Sequence, residues 1–153
     1  MRILVVCVGP VREPFADDSA HYEKLLSRYA KVEIVELKES GLGAREADKG
    51  RALEADAILR RVPGDAFCVA LDRGGQQASS EQLAALLEQR RMDGRDLCFV
   101  IGGPFGLDRI VLARADRTLS FGPQTLPHQL ARIVALEQLF RAHKILLGEP
   151  YHY

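Results

Sequence analysis

Apolar residues in this chain follow two spacings that alternate along its length. Short runs rich in β-branched and aliphatic residues lie at Ile3–Val8, Val32–Leu37, Ala66–Leu71 and Leu97–Ile101. Runs of this length predict buried strands, and each is followed by a segment of helical period or composition. The first helix is expected over Ser19 to Tyr29. The second is expected from about Ala44 to Arg61, with Ala52, Ala55, Ile58 and Leu59 on its buried stripe and Pro63-Gly64-Asp65 as its stop. A third begins at about Ser80, where Ser79 and Gln82 have the spacing of a capping box. This alternation predicts the α/β class, an open and mostly parallel sheet with helices on both faces.

The last third departs from plain alternation. A short segment, Leu107 to Ala113, precedes a short strand around Arg117 to Ser120, then a loop and one long helix. Pro127 fits the first helical position, and Gly148 and Pro150 end the helix. Its apolar residues, which include Leu130, Val134, Leu136, Leu139 and Ile145, cover more than one stripe. Such a helix needs two partners: the sheet, and the same helix of a second subunit across a two-fold axis. Leu136 and Leu139 are expected on the outer, subunit-facing side.

A chain of 153 residues fits one domain, 1–153, and its 21 basic and 21 acidic residues exclude a protein that coats nucleic acid through bulk charge. Cys7, Cys68 and Cys98 each sit inside an apolar run, with no Cys-x-x-Cys spacing, which points to core packing rather than disulfides or a metal site. The opening "MRILVVCVGP" reads as a strand, not a signal peptide, and no apolar segment is long enough to span a membrane. A cytoplasmic location is expected.

Ligands of open α/β sheets bind beyond the carboxyl ends of the strands. Three such ends carry unusual sequence: Leu71-Asp72-Arg73-Gly74-Gly75, Ile101-Gly102-Gly103-Pro104 and Ser120-Phe121-Gly122-Pro123-Gln124-Thr125. Each alone reads as a tight turn. Together they predict a cleft walled by backbone, suited to a flat polar heterocycle such as adenine rather than to a polyphosphate. Asp72 either binds a ligand hydroxyl or closes a turn. His128 and His143, near the two ends of the long helix, read as surface or dipole-related groups, and Glu137 with Arg141 as an i, i+4 ion pair. The tail "EPYHY" has no helix to cap and no evident core to fill.

Four ordered motifs, "LDRGGQQASSEQLA", "FVIGGPFGL", "TLPHQLARIVALEQLFRAHKIL" and the terminal "PYH", resemble the RlmH family, the ribosomal large-subunit pseudouridine methyltransferases of the SPOUT class. The resemblance spans the whole chain. It implies a homodimer, a C-terminal trefoil knot that binds S-adenosylmethionine (SAM), and methylation of N3 of a pseudouridine in helix 69 of 23S rRNA in the assembled ribosome. Periodicity does not show the knot, and the general rules of chain topology run against one. Carried onto this sequence, the family's cofactor contacts fall on Leu71, on Gly102 and on Phe121, Gly122, Pro123, Gln124, Thr125 and Leu126. These are the three strand ends already singled out. Tyr151 and His152 become the expected catalytic pair, which stacks on the base or handles its N3 proton.

Two departures from the family pattern matter. Where many relatives have Ser-Leu-Ser-x-Met, this chain has Ser120-Phe121-Gly122-Pro123-Gln124, which leaves backbone rather than side-chain contacts to the cofactor. The chain ends in Tyr153, without the usual basic residue after Tyr-His. The imide N3 is a poor nucleophile until its proton leaves, so the enzyme must align the base and assist deprotonation, through His152 or an RNA phosphate, without a metal. Arg90, Arg91 and Arg95 of two subunits are expected to gather near the site. The rival readings are a flavodoxin-like module that holds a nucleotide or flavin and a ribosome-associated assembly factor with a vestigial site.

Overall fold

A computed structural model of the protein describes residues 1–153. The aliphatic runs form β1 (Arg2–Val8), β2 (Lys31–Leu37), β3 (Phe67–Gln77), β4 (Leu97–Ile101) and β5 (Arg117–Ser120), in the sheet order β2-β1-β4-β3-β5 with every pairing parallel. The helices are α1 (Phe15–Leu26), α2 (Ala47–Arg61), α3 (Ser80–Met92), α4 (Arg109–Arg114) and α5 (His128–Leu146), and a 3-10 turn, Ala44–Glu46, leads into α2.

The period of two along each strand divides the core in two. Ile3, Val5 and Cys7 of β1 and Leu97, Phe99 and Ile101 of β4 face α1, α3 and α5, whereas Leu4, Val6, Val8, Cys98 and Val100 face α2 and α4. A strand buried on both faces must be apolar throughout, and these central strands are. Each fully buried Val, Leu or Ile contributes about 1.5–3 kcal/mol of burial free energy. The buried cysteines belong to this packing. Burial pushes the Cys7 thiol up to about 12, far from the thiolate that reactivity requires. Buried Arg132 ties α5 to both neighbours, donating to Glu36 Oε1 of β2 at 2.7 Å and lying 3.6 Å from Glu23 of α1.

Several expectations change. The first helix starts earlier, at Phe15, because the Arg12 carbonyl accepts from the Phe15 and Ala16 amides and closes the first turn. Asp17 and Asp18 then lie in the first turn, where the helix dipole favours them. On α2 the buried stripe is Gly50, Glu54, Ala55 and Ile58, and Ala52 is exposed. The third strand does not end at Leu71 but runs on to Gln77, with Asp72–Gly75 bulging between two pairings to Leu119. Gly75 permits this: a Cβ there would lie 2.8 Å from the Thr118 carbonyl. Pro127 precedes α5 as its N-cap rather than opening it. Leu136 and Leu139 are 0% exposed within the subunit, so they face the sheet and not a partner. His143 is buried too, with Nδ1 2.8 Å from the Leu139 carbonyl oxygen.

Candidate active site

The carboxyl ends of β3, β4 and β5 open into one cavity of about 390 Å³. It is lined by Leu71, Gly102, Phe121, Gly122, Gln124, Thr125 and Leu126, which are all of the expected cofactor residues except Pro123. Pro123 is exposed beside it. The floor is backbone held tightly. Gly102 and Gly106 touch so closely that a Cβ on Gly102 would lie 2.8 Å from the Gly106 carbonyl carbon and oxygen, and Gly106 N–H donates to the Gly103 carbonyl at 3.0 Å. The opposite wall is fixed by Ser120, whose hydroxyl donates to the Arg73 carbonyl and accepts from the Gly122 amide, both at 3.0 Å. A flat ligand edge meets peptide donors and acceptors here, with Leu71, Ile101 and Leu119 as apolar surface. This geometry fits a nucleoside-bearing cofactor such as SAM. Asp72 is taken up in a turn, its Oδ2 accepting from the Gly74 amide at 2.8 Å.

Tyr151 and His152 do not line this cavity. The tail is not free: Tyr151 packs edge-on against Phe140 with ring centroids 4.8 Å apart, lies 4.8 Å from the Arg141 guanidinium, and donates to Glu137 Oε1 at 3.1 Å. Burial pushes its phenol up to about 12. His152 is held between α3 and α5, with Nε2 2.7 Å from Glu81 Oε1 and Nδ1 3.4 Å from Arg141 Nη1. Hydrogen bonds from its own backbone amide and from the Ser79 hydroxyl at the start of α3, then from His152, hold the Glu81 carboxyl down at about 2, so it is ionised at any working pH. Tyr151 reaches back along α5 only as far as Glu137, which is six positions and about 9 Å of helix rise from Ala131 on the cavity wall.

An open parallel sheet with a backbone-walled cleft at its carboxyl edge is a common arrangement; the match that decides the family covers the whole chain. A family model described as a predicted SPOUT methyltransferase matches residues 1–152. The chain belongs to the SPOUT methyltransferase family. Among its relatives, the ribosomal RNA large subunit methyltransferase H of Solidesulfovibrio magneticus is 48% identical over 151 residues, 97% of each chain. The protein of the same name from Carboxydothermus hydrogenoformans is 42% identical over 158 residues, 99% of each chain. The crystal structure of a probable methyltransferase from Bordetella pertussis Tohama I superposes with a TM-score of 0.57 at 16% identity, covering 92% of this chain and 95% of that one. That likeness supports the fold alone. The RlmH resemblance of the sequence motifs therefore holds along the full length, and membership of the SPOUT family implies a C-terminal knot.

In this SPOUT chain the sequence does not reveal the place of one cavity residue, His128, or of three residues packed behind the cavity wall, Glu39, Arg51 and Glu54. His128 lines the cavity, with its Nε2 buried, lacking a hydrogen-bond partner and 3.5 Å from Glu39 Oε1. Glu39 and His128 are far apart in sequence, so only the folded sheet brings them together. Buried Glu54 accepts from the Ser40 amide at 3.0 Å and stands behind Gly103, and Arg51 one turn earlier on α2 donates to the Phe105 carbonyl at 3.1 Å. Neither residue carried a local signal, since Arg51 pairs along the helix with Asp48 and not with Glu54. Arg90, Arg91 and Arg95 are not near the cavity of their own subunit. Arg90 and Arg95 brace the amino end of the sheet over the Phe67 ring at 4.6 and 5.4 Å, because α3 runs against the strand direction, and Arg91 pairs with Glu88 on the exposed face of α3. No three His, Cys, Asp or Glu side chains are grouped to hold a metal ion, and no helix is long and apolar enough to cross a membrane.

Proposed function

We propose that this protein is a single-domain, homodimeric cytoplasmic enzyme that transfers the methyl group of SAM to N3 of a pseudouridine in helix 69 of 23S rRNA, in the assembled ribosome. The reading rests on full-length similarity to proteins named ribosomal RNA large subunit methyltransferase H, and the observation that carries it is the backbone-walled cavity at the ends of β3, β4 and β5. Bound there, SAM supplies an electrophilic methyl on a sulfonium. Leu71, Gly102 and the loop from Phe121 to Leu126 hold the cofactor, with Gly122, Gln124, Thr125 and Leu126 on the wall and Pro123 exposed beside it. Tyr151 and His152 stack on the base and draw off its N3 proton, and Arg141, 3.4 Å from His152, favours the anion that results. Because the tail stops short of its own subunit's cavity, it serves the cavity of the partner. Calorimetry tests the cofactor assignment: SAM and S-adenosylhomocysteine bind, FMN and NAD do not. Preference for FMN would replace this reading with the flavodoxin-like one.

The dimer surface follows from what α5 leaves uncovered. Val134 and Gln138 line a groove with Ala78, Leu83 and Leu119, beside the open edge of β5. An unpaired strand edge with a half-buried apolar helix face suits a two-fold contact. Val134→Asp puts an unpaired charge into that contact, so light scattering should give twice 17.0 kDa for the unmutated protein and 17.0 kDa for the variant, with the fold unchanged. A monomeric unmutated protein at micromolar concentration refutes the dimer.

A further inference from the structure

The mouth of the cavity carries two side chains to which the cofactor reading gives no task. Phe105 stands at the tip of the Gly103–Gly106 turn, closed by the Gly106 amide on the Gly103 carbonyl at 3.0 Å and braced by Arg51 Nη1 on its own carbonyl at 3.1 Å. Its ring lines the cavity yet is 39% exposed. A large aromatic side chain on a fixed turn, left in water at a cavity mouth, is presented to a partner rather than packed. Phe121 and Leu126, also exposed, extend the apolar rim. Arg73 lies on the segment that bulges between Leu71 and Gln76 and lines the same cavity. Its carbonyl is fixed by the Ser120 hydroxyl, its side chain is exposed and in no ion pair, and the neighbouring Asp72 turns Oδ2 to the Gly74 amide rather than to the guanidinium. The loop is rigid and its positive charge is free.

We propose that Phe105 and Arg73 form the RNA-docking rim of the cavity, Phe105 stacking on a base of the target strand and Arg73 pairing with an adjoining phosphate. An aromatic face next to an unpaired guanidinium matches a nucleotide's two recognisable parts, the π-face of the base and the anionic backbone. The proposal rests on the rRNA methyltransferase reading for the identity of the ligand, and it adds residues that this reading does not use.

The test uses the full chain with 70S ribosomes that lack the modification. Phe105→Ala should raise the KM for ribosomes about tenfold to a hundredfold, the usual range for losing one base stack, with the SAM dissociation constant unchanged. Phe105→Leu should resemble the alanine variant and Phe105→Tyr the unmutated protein, since the face of the ring and not its apolar bulk is used. Arg73→Gln should lower the slope of log KM against log salt by about one phosphate contact's worth, roughly 0.7–0.9. Co-sedimentation with the same ribosomes reads docking without catalysis. Should the unmutated protein transfer no methyl group, the function reading falls, and weaker co-sedimentation of both variants still supports the rim. Unchanged KM and co-sedimentation overturn it. SAM affinity that falls in step with activity makes these residues cofactor contacts, and a halved mass in light scattering makes them a subunit interface; either result also overturns it.

Discussion

Gly102→Val should weaken cofactor binding sharply while the protein stays folded. The added side chain begins 2.8 Å from the Gly106 carbonyl and 3.1 Å from Leu107 Cδ2, and the carbonyl is backbone that cannot swing aside. Either the Gly103–Gly106 turn moves into the cavity or β4 shifts. Overpacking of this kind costs about 1–3 kcal/mol. Taken from ligand binding, that is roughly tenfold to a hundredfold in the SAM dissociation constant, at about 1.4 kcal/mol per factor of ten. Methyl transfer falls further, because a displacement near 1 Å misaligns the methyl group and the base. Gly64→Ala is the control: nothing lies within 4 Å of a Cβ there, and binding should match the unmutated protein. Undiminished SAM affinity in Gly102→Val would move the cofactor site elsewhere.

Truncation after Pro150 should have two effects that single substitutions separate. Loss of Tyr151 removes the edge-on pair with Phe140, the hydrogen bond to Glu137 and the contact with Arg141. A half-buried aromatic side chain with such partners is worth about 2 kcal/mol. For a chain of this length that lowers Tm by about 4–8 °C. His152→Ala removes only the exposed contacts to Glu81 and Arg141, so melting and SAM binding should hardly change. Its single-turnover methyl transfer should fall on the order of a hundredfold or more, as for the loss of a proton-transfer group. Full activity in His152→Ala would remove it from the mechanism. Tyr151 also adds an alkaline limit: its phenol titrates at about 12 in the fold against about 10 unfolded, so its stabilisation is complete below pH 10 and is lost as pH rises toward 12. Tyr151→Phe should flatten that part of the stability curve.

Local chemistry was legible in the sequence, and contacts across the fold were not. The unbroken aliphatic run Ile3–Val8 marked a strand buried on both faces, and the Ser79–Gln82 capping box is present with both bonds. The Gly102–Gly106 cluster stood out because few other residues tolerate such close backbone approach. The helix start at Phe15 was invisible because no side chain caps it and its first turn is closed by the Arg12 carbonyl. The inward direction of Leu136 and Leu139 was lost in a helix that is apolar nearly all round, where periodicity cannot choose a face. The tail looked untied because its partners, Phe140 and Glu137, are reached only when the chain doubles back on α5. His128 meets Glu39 only through the sheet order β2-β1-β4-β3-β5, which no local pattern encodes, and Arg90 meets Phe67 because α3 doubles back on β3.

The central claim is methyl transfer to the ribosome, and one measurement addresses it directly. The purified protein is incubated with radiolabelled SAM and 70S ribosomes that lack the modification, and the labelled RNA is mapped by nuclease digestion. The account predicts label on 23S rRNA, confined to N3 of a pseudouridine in helix 69, from the unmutated protein and not from Gly102→Val. Ribosomes that stay unlabelled while SAM binds, or label placed on another RNA or another base, would contradict it.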